Sequence, residues 1–421
     1  MRGIRRHQRG IFAIAALSAW ALGGWNTYVP VGARTQELSP LLERYVAIGT
    51  SISSGWRADG ISARVQREAW PVQLAALANR TMSAPNLSRG SCSAPVLAPI
   101  ALNRRVDGNR ATTNAGSAGC QAAGMTRELV ADVALPGART HDALATTPEM
   151  APGRHAGFYR LSLPPANTQV DAMARQHPTF VSVELGANEV FGVHSGVVIP
   201  GRTLVSPDEW ARDYDDVLAR VRAVANRALL VGLVDSLARL PGFRRAGAIW
   251  RERVVLELLF HVSVASDCES SPNLLFIPLL VPRAIAEGAA RRRRGEPPAS
   301  LGCADAGGTE PDYILTPRDE ARVTAQLAWM NTFIRQRAES LGFAYVDLNA
   351  IYTRQEGHDE LSMLDLMLSP WPFGPFVSAD GVHPSAAGSR VLAEAAANAI
   401  VARYGIANAQ DAPVTPTAMP R

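Results

Sequence analysis

The chain has 421 residues, of which 47% are hydrophobic, 19% charged and 6% aromatic, and its formal net charge is +4. This composition is typical of a globular protein with a sizeable core, and it excludes a disordered polymer and a polytopic membrane protein. All 42 basic residues are arginine, and the lack of lysine excludes a pyridoxal-phosphate Schiff base, a P-loop lysine and a lysine general base.

The N-terminus has the pattern of an export signal. Arginines at positions 2, 5, 6 and 9 precede an apolar stretch over residues 11–22. A membrane span needs about 20 apolar residues, so this shorter stretch is typical of the apolar region of a signal peptide. We predict a signal peptide with a short linker over residues 1–32 and a secreted or periplasmic protein. An uncleaved N-terminal anchor is the alternative.

Short apolar runs then alternate with helical patterns, which is typical of a parallel sheet covered on both faces. We predict a three-layer α/β/α sandwich with a central, mainly parallel five-stranded sheet, in one domain over residues 33–405. The Ala/Pro-rich tail over residues 406–421 is expected to be flexible. The predicted strands are Tyr45–Ile48, Leu129–Ala134, Phe180–Leu185, Ala228–Val234 and Ala344–Leu348.

Three of the helices have recognisable boundaries. Ser206 is an N-cap candidate, followed by proline at the first helical position and by Glu209 at the place of a capping box. Thr316 opens a second helix by the same pattern. The last helix is predicted over Ser385–Tyr404, with Gly405 as its C-terminal stop.

Two segments, near residues 81–127 and 236–312, do not fit the alternation and are interpreted as insertions. Each carries two of the four cysteines, which allow three connectivities. In an oxidising compartment local pairing is the simplest, and each closed loop would stabilise the fold by roughly 3 kcal/mol. Four separate buried thiols are the alternative. The local pairs are Cys92 with Cys120 and Cys268 with Cys303.

The second insertion also carries an apolar run and a basic run. The apolar run, Leu274–Val281, is interpreted as core, with the wall of an acyl-chain pocket as the alternative. The basic run, Arg291–Arg294, is interpreted as a solvated loop, and transient contact with an anionic membrane surface is the alternative. No basic face with interleaved aromatic residues is visible, so we expect no nucleic-acid partner.

The turn after the first strand carries a candidate nucleophile. Ser51 would lie at the carboxyl edge of the sheet, where open α/β folds bind ligands. Gly49 permits a tight turn, and a helix that starts beyond it would direct backbone N–H groups at a developing oxyanion. Alone, the pattern also fits an ordinary loop with N-cap serines.

The far end of the chain carries the groups that would activate this serine. A serine nucleophile needs an imidazole to take its proton and a carboxylate or carbonyl to hold the imidazole tautomer. Asp380 and His383 are three residues apart, and Pro384 fixes the backbone before the last helix. We therefore predict Ser51, His383 and Asp380 as catalytic residues.

Taken together, these residues resemble the motifs of the GDSL or SGNH family of serine esterases and lipases. The resemblance spans residues 45 to about 400, and the motifs occur in the family's order. It implies the SGNH hydrolase fold and an oxyanion hole formed by the N–H groups of Ser51 and Gly137 and the side-chain amide of Asn188. The matching segments are Gly49-Thr50-Ser51 with Gly55, Leu135-Pro136-Gly137-Ala138, Gly186-Ala187-Asn188-Glu189, and Asp380 with His383.

Two positions depart from the family pattern. Thr50 and Glu189 stand where the family has aspartate, which leaves the substrate subgroup open.

Two other families of serine hydrolases fit the sequence less well. A subtilisin-type protease has the order Asp, His, Ser, which differs from the order here. The α/β-hydrolase elbow requires glycine where Ser53 stands.

The expected activity is hydrolysis of a carboxylic ester without metal or organic cofactor. A lipid, a short acyl ester and an acetylated sugar all remain open as substrates. Acyl transfer at the same site and a non-catalytic binding protein of the same fold are the alternative functions. A metal site at Glu184, Glu189 and His194 is disfavoured because their spacing fits no known ligand motif.

Overall fold

The computed structural model describes residues 31–85, 87, 91–111, 126, 128–151, 153–353 and 361–405. Within this part of the chain the strands are β1 (Tyr45–Gly49), β2 (Ile61–Ser62), β3 (Ser91–Cys92), β4 (Phe180–Glu184), β5 (Ala228–Gly232), β6 (Phe243–Arg245), β7 (Val262–Val264), β8 (Leu274–Phe276), β9 (Ala299–Leu301), β10 (Ile314–Leu315) and β11 (Ala344–Asp347). The helices are α1 (Val31–Leu41), α2 (Ser51–Ser54), α3 (Ala63–Arg67), α4 (Trp70–Leu77), α5 (Thr140–Ala145), α6 (Ala156–Ser162), α7 (Gln169–Ala174), α8 (Ala187–Phe191), α9 (Pro207–Val224), α10 (Ala246–Arg251), α11 (Arg253–Phe260), α12 (Ile277–Arg294), α13 (Pro317–Leu341), α14 (Asn349–Tyr352), α15 (Met363–Leu368) and α16 (Ala386–Tyr404).

The centre of the molecule is a parallel sheet of four strands in the order β1–β4–β5–β11. Every residue of β1, β4 and β5 is buried, which explains why these strands are continuous apolar runs. Helices flank the sheet: α1, α4 and α16 pack together, and α5, α7, α9 and α13 form a second group. The predicted α/β architecture is therefore confirmed.

The predicted number of strands was wrong, because the segment over residues 129–134 does not form a full strand. It lies beside β1 and makes one parallel bridge, between Ala47 and Asp132. The Asp132 carboxylate accepts the N–H of Ala134 at 3.1 Å, which turns the backbone locally as Asp side chains commonly do. The sheet therefore has four strands instead of five.

Two of the three predicted helix starts have the expected capping bond. The Thr316 hydroxyl accepts the N–H of Asp319 at 3.2 Å, and the Ser385 hydroxyl accepts the N–H groups of Ala387 and Gly388. The prediction of a capping box at Ser206 was wrong, because that side chain makes no capping bond. There, negative charge from Asp208 and Glu209 in the first turn favours the helix N-terminus instead.

The buried apolar residues of the segment over residues 236–312 belong to the same core cluster as the main sheet. Strands β6, β8 and β10 form an antiparallel sheet, and β7 pairs with β9. The predicted disulfide between Cys268 and Cys303 is present. Cys92 is also disulfide-bonded, and its predicted partner Cys120 lies outside the described residues. The apolar run Leu274–Val281 forms β8 and the start of α12 and is largely buried, as expected of core.

The interpretation of Arg291–Arg294 as a loop was wrong. These residues form the last turn of α12, which ends at Gly295 with a φ of +67°. Arg291 pairs with Glu287 one turn earlier, at 2.8 Å, and such pairs support a helix. Cations also favour the C-terminal end of a helix dipole.

No helix in the described ranges combines the length and apolar character that a membrane span requires. The predicted signal peptide, apart from its last two linker residues, and the predicted C-terminal tail lie outside those ranges.

Candidate active site

Ser51 is the first residue of α2, directly after β1 at the carboxyl edge of the sheet. The turn is so tight that a Cβ at Gly49 would lie 2.6 Å from the Ser53 hydroxyl oxygen, so only glycine fits there. The Thr50 hydroxyl caps the helix by accepting the N–H of Ile52 at 3.5 Å. Because Ser51 begins the helix, its own N–H has no acceptor within the helix. The turn thus presents a hydroxyl group and a backbone donor together.

The structure brings Ser51, His383 and Asp380 together in one hydrogen-bonded line. The Nε2 atom of His383 lies 2.9 Å from the Ser51 hydroxyl oxygen. The Nδ1 atom of the same ring lies 2.9 Å from Asp380 Oδ2. Both distances are within the range of a hydrogen bond, although Ser51 and His383 are 332 positions apart in the chain.

The Asp380 carboxylate is held in place from several sides. Its second oxygen, Oδ1, accepts the Ser378 hydroxyl at 2.9 Å and the N–H groups of Val382 and His383 at 3.0 and 2.9 Å. Burial alone would raise the pKa of Asp380, but the adjacent imidazole of His383 and the N–H groups of His383 and Val382 lower it to about 2. The carboxylate therefore stays ionised and accepts from the Nδ1–H of His383.

The loop that carries Asp380 and His383 is fixed by its neighbours. Gly381 has a φ of +72°, and its carbonyl accepts the N–H of Gly242 at 2.7 Å. A Cβ at Gly381 would lie 2.6 Å from the Cα of Gly242. Tyr352 donates its hydroxyl to the carbonyl of Val382 at 2.5 Å. The segment over residues 236–312, which the sequence analysis interprets as an insertion, thus braces this loop through Gly242.

The two other residues expected in the oxyanion hole, Gly137 and Asn188, line the same cavity as Ser51 and His383. Gly137 has a φ of +78° in the turn before α5. Asn188 lies in α8, which follows β4, and its amide nitrogen donates to the carbonyl of Ala138 at 2.8 Å. An amide nitrogen carries two hydrogens, so one remains for a ligand.

Glu189 makes a second link between α8 and the turn that contains Gly137. Its carboxylate accepts the N–H of Thr140, three residues beyond Gly137, at 2.6 Å. The side chain is 2% exposed, and this burial outweighs the bonds from Thr140 and raises the pKa of Glu189 to about 7. The bonds of Asn188 and Glu189 together tie α8 to the turn that contains Gly137.

Glu184, at the end of β4, binds the turn that carries Ser51. Its carboxylate accepts the N–H and the hydroxyl of Thr50 at 3.0 and 2.9 Å, and the N–H and the hydroxyl of Ser53 at 3.2 and 2.9 Å. Trp70 donates to the Ser53 hydroxyl at 3.1 Å. Glu184 is fully buried, which raises its pKa, and the four donors oppose that shift.

The role of Glu184 was missed in the sequence, although a signal for it exists. The segment Phe180–Glu184 is a buried apolar strand that ends in a carboxylate. A buried charge needs partners, so an acidic residue at that position indicates a structured polar contact. The contact lies 134 positions away in the chain, at Thr50, and the sequence pattern does not identify it.

The cavity beside Ser51 has a volume of about 350 Å³ and is mainly apolar. Leu237 and Leu240 come from the insertion, so that segment forms part of the wall. The ring of His194 stacks on Phe191 at 4.7 Å. The other apolar lining residues include Ile52, Trp56, Val190, Leu233, Val234, Leu327 and Leu348.

His155 and His194 line this cavity, a placement that their spacing in the sequence did not indicate. The Nδ1 atom of His194 lies 2.6 Å from the carbonyl of Phe191, and the His155 ring lies edge-on to Trp56. Among the residues that the structure describes, no group of three or more His, Cys, Asp or Glu side chains could hold a metal ion.

No protein-family model and no curated protein matches the chain. Three of the similar solved structures are the acetylxylan esterase Axe2 from Geobacillus stearothermophilus, the alpha/beta hydrolase LAE5 from the metagenome of Lake Arreo in Spain, and an extracellular lipase from Streptomyces rimosus. Axe2 is 13% identical with a TM-score of 0.32, over 86% of this chain and 94% of that chain.

LAE5 is 14% identical with a TM-score of 0.36, over 86% of this chain and 94% of that chain. The Streptomyces lipase is 16% identical with a TM-score of 0.32, over 83% of this chain and 98% of that chain. Because these TM-scores lie below 0.5, a functional assignment depends on the geometry of the site itself.

Proposed function

We propose that the chain is an exported serine ester hydrolase of the SGNH type. The observation that carries this proposal is the hydrogen-bonded line from Ser51 through His383 to Asp380. Its members match the roles of nucleophile, general base and orienting carboxylate. Export is supported by the arginine-rich, apolar N-terminal pattern and by the disulfide between Cys268 and Cys303.

In the first half of the reaction, the Ser51 oxygen attacks the carbonyl carbon of the ester while its proton moves to His383 Nε2. Asp380 holds the ring in the required tautomer and stabilises the imidazolium that forms. When the tetrahedral intermediate collapses, the bond between the carbonyl carbon and the alcohol oxygen breaks. His383 then gives its proton to the departing alcohol, and the acyl group stays on Ser51.

In the second half, water takes the place of the alcohol. His383 removes a proton from the water as it attacks the acyl carbonyl, and the proton then returns to Ser51 when the acid leaves. The N–H groups of Ser51 and Gly137 and the amide of Asn188 stabilise the oxyanion in both halves. Loss of one such donor costs about 3 kcal/mol, or a factor of about 10² in rate.

The lining of the cavity favours the acyl part of an ester as its occupant. Aliphatic side chains, among them Leu237, Leu240 and Leu348, form most of its wall, and apolar burial contributes binding energy in proportion to area. We expect nitrophenyl esters with a short aliphatic acyl chain to be cleaved with a lower KM than the acetate. An acetate cleaved with the lowest KM would contradict this assignment of the cavity.

The test is fluorophosphonate labelling mapped by mass spectrometry, together with hydrolysis of a nitrophenyl ester. We expect one adduct, on Ser51, and loss of both adduct and hydrolysis in Ser51→Ala and His383→Ala. His141→Ala is the matched control, because that histidine is exposed, contacts Asp213 and does not line the cavity beside Ser51. Intact protein without adduct or turnover would refute the proposal and favour a binding protein. Ester products in the presence of an added alcohol would indicate acyl transfer in place of hydrolysis.

A further inference from the structure

Helix α11 exposes a row of large aliphatic side chains. Val254, Leu258 and Leu259 are 56%, 72% and 53% exposed, while Leu256, which faces the core, is fully buried. At 3.6 residues per turn, Val254 and Leu258 lie one turn apart and Leu259 lies about 100° further round, so the three cover a broad arc of the exposed side. Single exposed apolar residues are common, but a cluster on one face indicates an interaction surface.

Two exposed arginines lie in the last turn of the neighbouring helix α12. Helix α12 packs against α11, and Arg292 at its end donates to the carbonyl of Leu258 at 3.5 Å. Arg291 and Arg294 are paired with Glu287 and Glu296. Arg292 and Arg293 are exposed, and within the described part of the chain neither has an ion pair with a carboxylate.

We infer that the face formed by Val254, Leu258, Leu259, Arg292 and Arg293 docks on an anionic lipid surface. Here this set of residues is called the docking face. Aliphatic side chains on one face of a surface helix enter the boundary between lipid headgroups and acyl chains, and nearby arginines attract anionic headgroups. The planar guanidinium group also binds phosphate oxygens with two parallel hydrogen bonds.

A second copy of the chain fits this face less well than a lipid surface. A two-fold contact places the same residues of both copies against each other, so Arg292 and Arg293 would oppose their own counterparts. A stable protein interface also buries roughly 800 Å² on each partner, which three aliphatic side chains on one helix do not supply. Arg292 and Arg293 outnumber Glu257, the exposed carboxylate of α11, and this excess of positive charge favours an anionic surface.

The docking face belongs to the insertion that also forms part of the cavity wall. Leu237 and Leu240 line the cavity, and α11 starts at Arg253 in the same insertion. A lipid surface bound there would lie against the segment that borders the proposed site. The inference goes beyond ester hydrolysis and does not depend on it, because Ser51→Ala should bind vesicles as the parent does.

The experiment measures binding of the full chain to phosphatidylcholine vesicles with and without phosphatidylglycerol, by co-sedimentation and by hydrogen–deuterium exchange. We expect binding that requires phosphatidylglycerol, weakens at high salt and protects the amides of α11. The variants Arg292→Glu with Arg293→Glu, and Leu258→Glu with Leu259→Glu, should each lower the partition coefficient about tenfold or more. Met150→Glu and Arg222→Glu, exposed positions outside the insertion, are the matched controls.

The exchange data separate the docking face from other modes of binding. Protection confined to the apolar N-terminal stretch, with α11 unchanged, would overturn the inference. Equal binding to neutral vesicles, or equal binding by the parent and both paired variants, would also overturn it. Protection of α11 that rises with protein concentration in the absence of lipid, together with a doubled mass in light scattering, would assign the face to a second copy instead.

Discussion

The buried carboxylate of Glu184 holds the turn that carries Ser51. The family has aspartate beside its nucleophile, and this chain has Thr50. Thr50 and Ser53 both direct their N–H and hydroxyl groups at Glu184. Glu184 therefore fixes the turn from the neighbouring strand, and we expect it to act as a positioning residue for Ser51.

We expect Glu184→Gln to lower kcat by about two orders of magnitude while KM stays near the parent value. An amide nitrogen would meet N–H and hydroxyl donors, so the turn would shift, and displacement by about 1 Å at a nucleophile costs about 10² in rate. Steady-state kinetics with a nitrophenyl ester measures both constants, and circular dichroism checks that the variant is folded. Ser53→Ala, which removes one donor, should lower kcat less.

The same contact predicts the result of placing an aspartate at position 50, where the motif that the sequence resembles has one. Thr50→Asp would place a second carboxylate against Glu184 in a fully buried position, which is costly because like charges repel. Adding Glu184→Gln to that variant should recover stability and part of the rate, since an amide can donate to the introduced carboxylate. A Thr50→Asp variant as stable as the parent would contradict this account.

The buried carboxyl group of Glu189 makes the stability of the protein depend on pH. Below about pH 4.5 this carboxyl is protonated in the folded and the unfolded chain. Between pH 4.5 and about 7, the raised pKa of Glu189 means that only the folded chain keeps the proton. The free energy of unfolding therefore falls as pH rises through this window, by up to about 3 kcal/mol.

We expect Glu189→Gln to remove this contribution, because the amide oxygen can still accept the N–H of Thr140 and carries no charge. Relative to the parent, the variant should gain more stability at pH 8 than at pH 5, measured by urea unfolding. Asp132, whose buried carboxyl has a pKa of about 8, changes stability in an overlapping window. The difference between parent and variant isolates Glu189, and equal pH profiles would refute the assignment.

At the scale of elements, the site depends on contact between the loop of His383 and the insertion. Gly381→Ala should lower kcat by tenfold or more, because its φ of +72° disfavours a side chain and the new Cβ would meet Gly242. Gly247→Ala, in helix α10 of the same insertion, has its nearest neighbour at 3.7 Å and is the matched control. Nitrophenyl ester kinetics compares them, and a Gly381→Ala variant with the kcat of the control would contradict the brace.

At the scale of the whole molecule, the sequence predicts what short-range patterns determine. Apolar runs such as Phe180–Glu184 and the helix start at Thr316 are local signals, and both were read correctly. The segment near Asp132 does pair with β1, as in the bond from the N–H of Val133 to the carbonyl of Ala47. It was misread as a full strand because the apolar pattern does not show that the Asp132 side chain takes the N–H of Ala134. The arginine run was misread as a loop although Glu287, one turn before Arg291, and Gly295 after the run are local signals of a helix end.

In the candidate site too, local patterns predict some features and long-range contacts determine the others. The sequence order of Ser51, Asp380 and His383 carries the resemblance, and the structure brings these side chains together. Glu184 and Gly242 act through contacts across more than a hundred positions of the chain. Such contacts follow from the packing of the sheet and the insertion, and no local pattern encodes them.

Because the core is continuous, we can predict how the whole molecule unfolds. Cys268 and Cys303 are fully buried in the same apolar cluster as the strands of the main sheet. Replacing both by alanine removes a cross-link between residues 35 positions apart, which should lower the free energy of unfolding by about 3–4 kcal/mol. For a chain of this size the unfolding temperature should fall by about 5 °C. Because the insertion and the main sheet share one core, calorimetry should show one transition at the lower temperature, whereas two separate transitions would mean that the insertion unfolds independently.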